Sequence, residues 1–350
     1  MFKGNSPSST WGWPVVGSCV WVTLVQESEL YTGTVCDALW RQQHYRYEST
    51  WSRVQICSQC FAENAEGPLN WAQCCAFPKK THEAYVNSEA ARRSPLSRMI
   101  GFWFTMTRGE LMHIGPLGVM PDAVGSAVIE LCDEGKFGVV DAPGGWEFRL
   151  GAQLSVAYSD FAVWCTRNHS EHTIKSFGVR KLSMLTLNFS WPSLKGKAHN
   201  CLVVTRWLSA KCSEYSSESE YAQIRSTVIT AWADFFHISA HTEDPNWMND
   251  SELAKLQTAT DIILHGTNAL ASMNAEIPKL RWKMRCKMHE LYHVNEDAQT
   301  SHRPPRAFWS FKDEEFMGKL SLIACAVHAL GVVSRTLERW GIQLFNAMDD

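Results

Sequence analysis

Residues 279–319 read KLRWKMRCKMHELYHVNEDAQTSHRPPRAFWSFKDEEFMGK, and the rest of the chain is organised around them. The stretch opens on an alternating basic set, Lys279, Arg281, Lys283, Arg285 and Lys287, and passes into His289-Glu290-Leu291-Tyr292-His293. Histidines four apart share one face of a helix, as two ligands of one metal ion must. A Pro304-Pro305 break follows, then the acidic run Asp313-Glu314-Glu315 on an amphipathic pattern. Two histidines are only half of a site, so the upstream chain is read for the other half.

Composition bounds the answer. The chain has 350 residues, 45% of them hydrophobic and 20% charged, which describes a globular protein with a sizeable core. With 33 basic against 36 acidic residues there is no global polyanion-binding signature, so nucleic-acid contact falls to local patches. The 16 tryptophans are read first as core anchors. The opening MFKGNSPSST is polar, with no apolar h-region, and no run of 18 apolar residues occurs. The expectation is an intracellular chain, the nucleus included, with no membrane partner and with reduced thiols. Clustered members of its 12 cysteines then suggest metal before disulfide.

Taken in order, residues 15–26 read as a buried strand with Glu29 just past its end. Residues 31–40 read as a short helix and 51–56 as a second strand. Cys57-Ser58-Gln59-Cys60 is a C-x-x-C, a spacing that lets one turn present two thiolates to one tetrahedral ion. Cys74, Cys75 and His82 rank below it, because adjacent cysteines bind one ion awkwardly. Glu110 and His113, three apart, suit a shared proton or metal, or a structural hydrogen bond. Helices are expected over 121–134, 152–166, 193–208, 221–240, 251–273, 278–294, 311–330 and 334–348, so the second half is nearly all helical. Lys195 and Lys197, at one helix start, are a candidate phosphate contact or a solvated turn.

Two readings of the histidine pair compete. In the first, His289 and His293 bind a catalytic zinc, Glu290 is the general base and Glu314 the third ligand, as in a zinc metallopeptidase. Lys287 and the polar run after His293 fit that pattern poorly. In the second, Cys57, Cys60, His289 and His293 close a Cys₂His₂ tetrahedron, a structural Zn²⁺ with no water position. That closure would draw Glu29 and Glu314 to one neighbourhood, where converging carboxylates hold Mg²⁺. A third reading is a non-catalytic helical interaction protein without metal.

The order of motifs is an acid at a strand end, C-x-x-C, acid-x-x-His, a helical insertion, H-x-x-x-H, then an acid on a helix. This order resembles eukaryotic DDE transposases of the CACTA/Plavaka and Kyakuja-Dileera-Zisupton kind, and the related V(D)J recombinase core. Glu110-Leu111-Met112-His113 is similar to their D-x-x-H motif, and 289–293 with 309–318 to their terminal block. The resemblance spans roughly residues 15–340. It implies an α+β, predominantly α-helical fold: an incomplete RNase H-like core carrying a large helical insertion. It divides the chain into a disordered 1–14, a partial RNase H-like β unit at 15–134, an insertion at 135–275 and a terminal block at 276–350. It further implies Glu29, Glu110 and Glu314 as the catalytic acids, and DNA as the partner, met by Lys279, Arg281, Lys283, Arg285 and Lys287. The family pattern has Asp where Glu29 and Glu110 stand. A side chain one methylene longer displaces a two-metal geometry, so strand cleavage is expected to be impaired.

Overall fold

The computed structural model describes residues 21–25, 30–36, 49, 52–94, 97, 102–104, 107–138 and 144–311. Beyond these it describes 322–327, 332, 335–336, 338–340 and 342. Among them the protein is predominantly helical. Strand structure is confined to a small sheet of β1 (Trp21–Val25), β2 (Leu30–Cys36) and β3 (Thr107–Gly109). β2 lies in the middle, antiparallel to β1 and parallel to β3, with Cys36 opposite Gly109. The expected helix at 31–40 is therefore a strand over its described part. Tyr31, Thr32, Thr34 and Val35 are aromatic or β-branched and favour extended backbone. The strand expected at 51–56 is, over the described residues 52–56, a turn leading into the C-x-x-C loop.

The helices, in chain order, are α1 (His82–Val86), α2 (Glu89–Arg93), α3 (Leu111–Asp133), α4 (Trp146–Arg167), α5 (Ala198–Glu214), α6 (Glu220–Ala240), α7 (250–274) and α8 (Lys287–Ser301). Helix α3 is the axis of the fold. It is long and apolar enough to cross a bilayer, yet 89% of its most apolar window is buried inside the protein. Its fifth to ninth residues, Gly115–Val119, form a π turn. Pro116 there has no N–H to keep the regular ladder. Gly115 also lets the helix meet α6, since a Cβ there would stand 2.6 Å from the Phe236 ring.

One hydrophobic core runs from Cys57 to Ala298, across both boundaries expected near 134 and 275. Trp207 and Trp232 are fully enclosed in it, as is Trp282, so these tryptophans are the anchors that composition suggested. Gly125 marks the closest approach within the core. A Cβ there would stand 2.5 Å from the Ser193 amide nitrogen and 2.7 Å from the Pro192 carbonyl carbon. Helix propensity alone predicts that Gly125→Ala stabilises by up to ~1 kcal/mol. The backbone clash opposes this with ~3 kcal/mol, the upper end of overpacking costs. Urea unfolding should therefore show a net loss of about 2 kcal/mol; a gain would mean that the 192–193 turn yields freely.

The basic stretch was expected to be helical from 278. It is instead irregular up to Lys287, with Trp282 in the left-handed region (φ 52°). It runs antiparallel along α3, and the polar positions of α3 receive it. Arg285 pairs with Asp122, the Trp282 amide donates to Ser126 Oγ (2.9 Å), the Trp282 indole donates to Glu130 (2.7 Å), and Arg281 and Lys279 both reach Asp133 (2.8 and 3.2 Å). Residues 122, 126, 130 and 133 share one helical face, which makes the receiving edge continuous.

Candidate metal centre

The C-x-x-C turn sits on a knot of short loops between residues 52 and 80. The Phe61 amide donates to the Pro78 carbonyl (3.0 Å), and the Lys80 amide to the Gln59 carbonyl (2.9 Å). Lys80 Nζ donates to the Cys57 carbonyl (2.7 Å), and the Gln59 amide donates to the Cys57 sulfur (3.3 Å). Both thiols are thereby aimed at one side of helix α8, where His289 and His293 lie one turn apart.

The four side chains meet. Cys57 Sγ is 3.3 Å from His293 Nε2, and Cys60 Sγ is 3.0 Å from His289 Nε2. All four ligand atoms lie within 4.8 Å of one another, and all four residues are buried. The two imidazole planes stand at 78° with centroids 4.6 Å apart, so the ring nitrogens converge from different directions. Zinc–sulfur and zinc–nitrogen bonds of about 2.3 and 2.05 Å in a tetrahedron place sulfur and nitrogen about 3.6 Å apart. The quartet is a few tenths of an ångström tighter than that, a change that side-chain rotations supply. The donor set of two thiols and two imidazoles is itself a zinc set.

The surroundings support a cation. His293 Nδ1 faces Glu296 (3.1 Å), and Lys79 holds that carboxylate from outside (2.8 Å). A carboxylate behind a ligand histidine fixes its tautomer and raises its basicity. The Phe77 ring packs edge-on against His289 (5.5 Å), whose Nδ1 has no hydrogen-bond partner among the described residues. Contact with the Cys60 thiol, aided by the two imidazoles and opposed by burial, holds the Cys57 thiol well below its usual range. The same pairing, with burial, pushes Cys60 up. Burial alone would lower His293, but Cys57 and Glu296 carry it up to about 9. Both directions favour the charged forms of Cys57 and His293, and zinc binding would need the thiols and imidazoles free of their protons.

A cavity of about 620 Å³ lies beside the quartet, lined by Cys57, His289 and His293 together with Arg285, Glu290 and Asp297. Glu290 is on the cavity wall near Gly109. It is not among the four converging ligands.

The other expected site residues fall differently. Glu29 and Glu314 lie outside the described residues. Glu110 is buried and is the N-cap of α3. Its carboxylate accepts from the Met112 amide (2.9 Å), the His113 amide (2.7 Å) and the Ser310 amide (2.8 Å), and lies 2.6 Å from His113 Nδ1. Despite burial, these donors keep its carboxyl below its usual range. A carboxylate so engaged is a structural node, and a metal could reach it only by displacing those bonds.

The basic row is also engaged internally. Besides the pairs with Asp122 and Asp133, Lys287 donates to the His113 carbonyl (3.0 Å), and Lys283 lies 5.9 Å from the Trp191 ring centroid. Arg281 is only 3% exposed. The alternating row thus makes internal contacts, chiefly with α3, while Lys279 and Arg285 stay partly exposed. The acids of α3 at 122, 130 and 133 were the signal in the sequence that marked a partner for it.

No known protein family matches the chain, and no curated protein or solved structure matches it either.

Proposed function

We propose that the chain is a transposase-derived DNA-binding protein on an incomplete RNase H-like core, clamped by a structural zinc and impaired in strand cleavage. The clamp rests on one observation: two thiols and two imidazoles from segments more than two hundred residues apart converge within 4.8 Å, all buried. Four protein ligands leave no water position. This counts against the metallopeptidase reading, which needs an open fourth site for Glu290 to activate water. When bound, the zinc supplies no chemistry; it joins the 52–80 knot to α8.

The DNA reading is supported by the order of motifs along the chain. The impairment is supported by Glu110, whose oxygens are taken by amides and His113, and by glutamate where the family pattern has aspartate. An Mg²⁺ site would require Glu110 to give up those bonds. The protein is expected to act inside the cell, at DNA.

Binding of purified, zinc-replete protein to labelled DNA tests this. Affinity should fall steeply between about 50 and 200 mM salt, and neither Mg²⁺ nor Mn²⁺ should produce nicked product. Absence of binding at the lower salt, with zinc still bound one to one, would remove the DNA reading and leave the zinc clamp; absence of both binding and zinc would leave the metal-free helical interaction protein. Divalent-dependent nicking would remove the impairment.

A further inference from the structure

Residues 172–200, HTIKSFGVRKLSMLTLNFSWPSLKGKAHN, contain five Lys/Arg and no Asp or Glu, in a chain where acids outnumber bases. The segment is tied down at both ends. Asn200 accepts from the Thr173 amide (3.0 Å) and donates to its hydroxyl (2.9 Å). Between these ends the chain folds back on itself: the Lys195 amide donates to the Lys181 carbonyl (2.9 Å), and the Ser193 amide to the Leu182 carbonyl (3.0 Å).

That fold-back has two chemically distinct parts. At its base, Lys175, Arg180 and Lys181 line a groove of about 810 Å³ against helix α4. Phe148 of α4, 63% exposed, also lines it, and Glu147 is the one carboxylate among the lining residues. Lys195 and Lys197 follow on the returning segment beside Lys181, and a Cβ placed on Gly196 would stand 3.7 Å from the Lys181 ammonium. None of the five cations has an ion-pair partner among the described residues. At the tip, Ser190 Oγ accepts from the Leu185 and Thr186 amides (2.9 and 2.8 Å) and closes a tight turn. The turn holds Leu185 at 73% and Phe189 at 85% exposure, with Trp191 beside them under Lys283.

Cations without acidic partners want an anion, and a groove wants a chain. Aromatic rings held out by a hydrogen-bonded turn present π faces without an ordering cost at binding. A bilayer would need the cations on a convex face around the tip, whereas three of the five line a concave groove. From this juxtaposition we infer that the 172–200 fold-back and the adjoining face of α4 bind single-stranded nucleic acid. The phosphates follow Lys175, Arg180, Lys181, Lys195 and Lys197, and bases stack on Phe148 and Phe189. The inference rests on the nucleic-acid part of the proposed function and relocates its contact surface.

Fluorescence anisotropy on the zinc-replete full chain, with single-stranded and duplex oligonucleotides, decides it. Replacing the five cations by alanine should weaken single-strand binding roughly 100-fold at low salt and reduce the salt slope by about 3 to 4. The double variant F148A/F189A should lose roughly tenfold or more with the slope unchanged. All these side chains are on the surface, so melting within a few degrees of the parent is expected. Arginine in place of the four lysines should bind as the parent does. If the parent binds DNA and both variants bind equally well, this surface is wrong while the DNA reading stands. A parent that prefers duplex, with F148A/F189A unaffected, overturns the single-strand assignment. Capture by phosphatidylserine vesicles that F189A abolishes, with oligonucleotide binding untouched, makes the tip a membrane anchor and also overturns it. A parent that binds no oligonucleotide removes both readings.

Discussion

Cys60→Ser should release the metal and loosen the join between the 52–80 loops and helix α8. Structural zinc contributes apparent binding free energies of about 10–16 kcal/mol in small zinc modules at neutral pH, and where the site forms only on folding that energy is folding energy. Elemental analysis of the parent should give one zinc per chain, against less than a tenth for C60S or H293A. Backbone hydrogen exchange should rise through 52–80 and in the first turns of α8. It should stay slow in α5 and α6, whose packing around Trp207 and Trp232 does not pass through the site. Each variant removes one thiol–imidazole contact and keeps the other, Cys57–His293 (3.3 Å) in C60S and Cys60–His289 (3.0 Å) in H293A, so loosening rather than global unfolding is expected. Because thiols and imidazoles must lose protons to bind metal, zinc should leave as pH falls. E290Q should keep its zinc, since Glu290 is not one of the four converging ligands. A C60S protein that retains one zinc per chain would end the Cys₂His₂ assignment, and retention by C60S with loss of zinc in H293A and a peptide hydrolysis that E290Q abolishes would restore the peptidase reading.

Arg225→Ala should be the most destabilising single change away from the metal. Arg225 is fully buried on α6 and is bonded to Glu130 (3.3 Å) and to both oxygens of Glu134 (2.5 and 2.8 Å). Glu130 also accepts from the Tyr221 hydroxyl (2.5 Å) and the Trp282 indole (2.7 Å), and Asn274 donates to Tyr221. The knot joins α3, α6, α7 and the 275–286 segment. Removing one partner of a buried ion pair costs about 3–5 kcal/mol, because the remaining charge is stranded.

The same knot sets a pH dependence. Burial raises the Glu130 carboxyl to about 7, against hydrogen bonds from Tyr221 and Trp282 and the charge of Arg225 that pull it down. A carboxyl whose folded value lies above its unfolded value contributes stability below about pH 4.5. That contribution is lost as pH rises through about 7. Over that window the loss amounts to about 3 kcal/mol. Urea unfolding in excess zinc should therefore show E130Q gaining on the parent as pH goes from 5 to 8, the metal's own pH dependence cancelling in the difference. The R225A defect should be smaller at pH 5, where Glu130 can take up a proton. Parallel curves for E130Q and the parent would show that Glu130 is ionised throughout.

Short-range patterns were legible in the sequence. C-x-x-C and H-x-x-x-H each define half of a tetrahedron by local geometry alone, because one turn or one helical turn fixes the distance between the two ligands. The long helices followed from their apolar periodicity. Where local pattern left a residue's role open, that role depended on a partner elsewhere. The pairing of the basic row was not legible because Asp122 and Asp133 sit on α3, more than a hundred residues upstream. Glu110 stays open between a structural hydrogen bond and a shared proton or metal because an acid three before a histidine fits either, and the Ser310 amide that completes its hydrogen bonding lies 200 residues away. By itself the sequence determined which residues could hold a metal and how each pair is spaced. Only the tertiary structure decided that the pairs meet, across 236 residues between Cys57 and His293. The side-chain spacing of a turn or helix is set by bonds to near neighbours, whereas that meeting is set by how α3 packs the whole core.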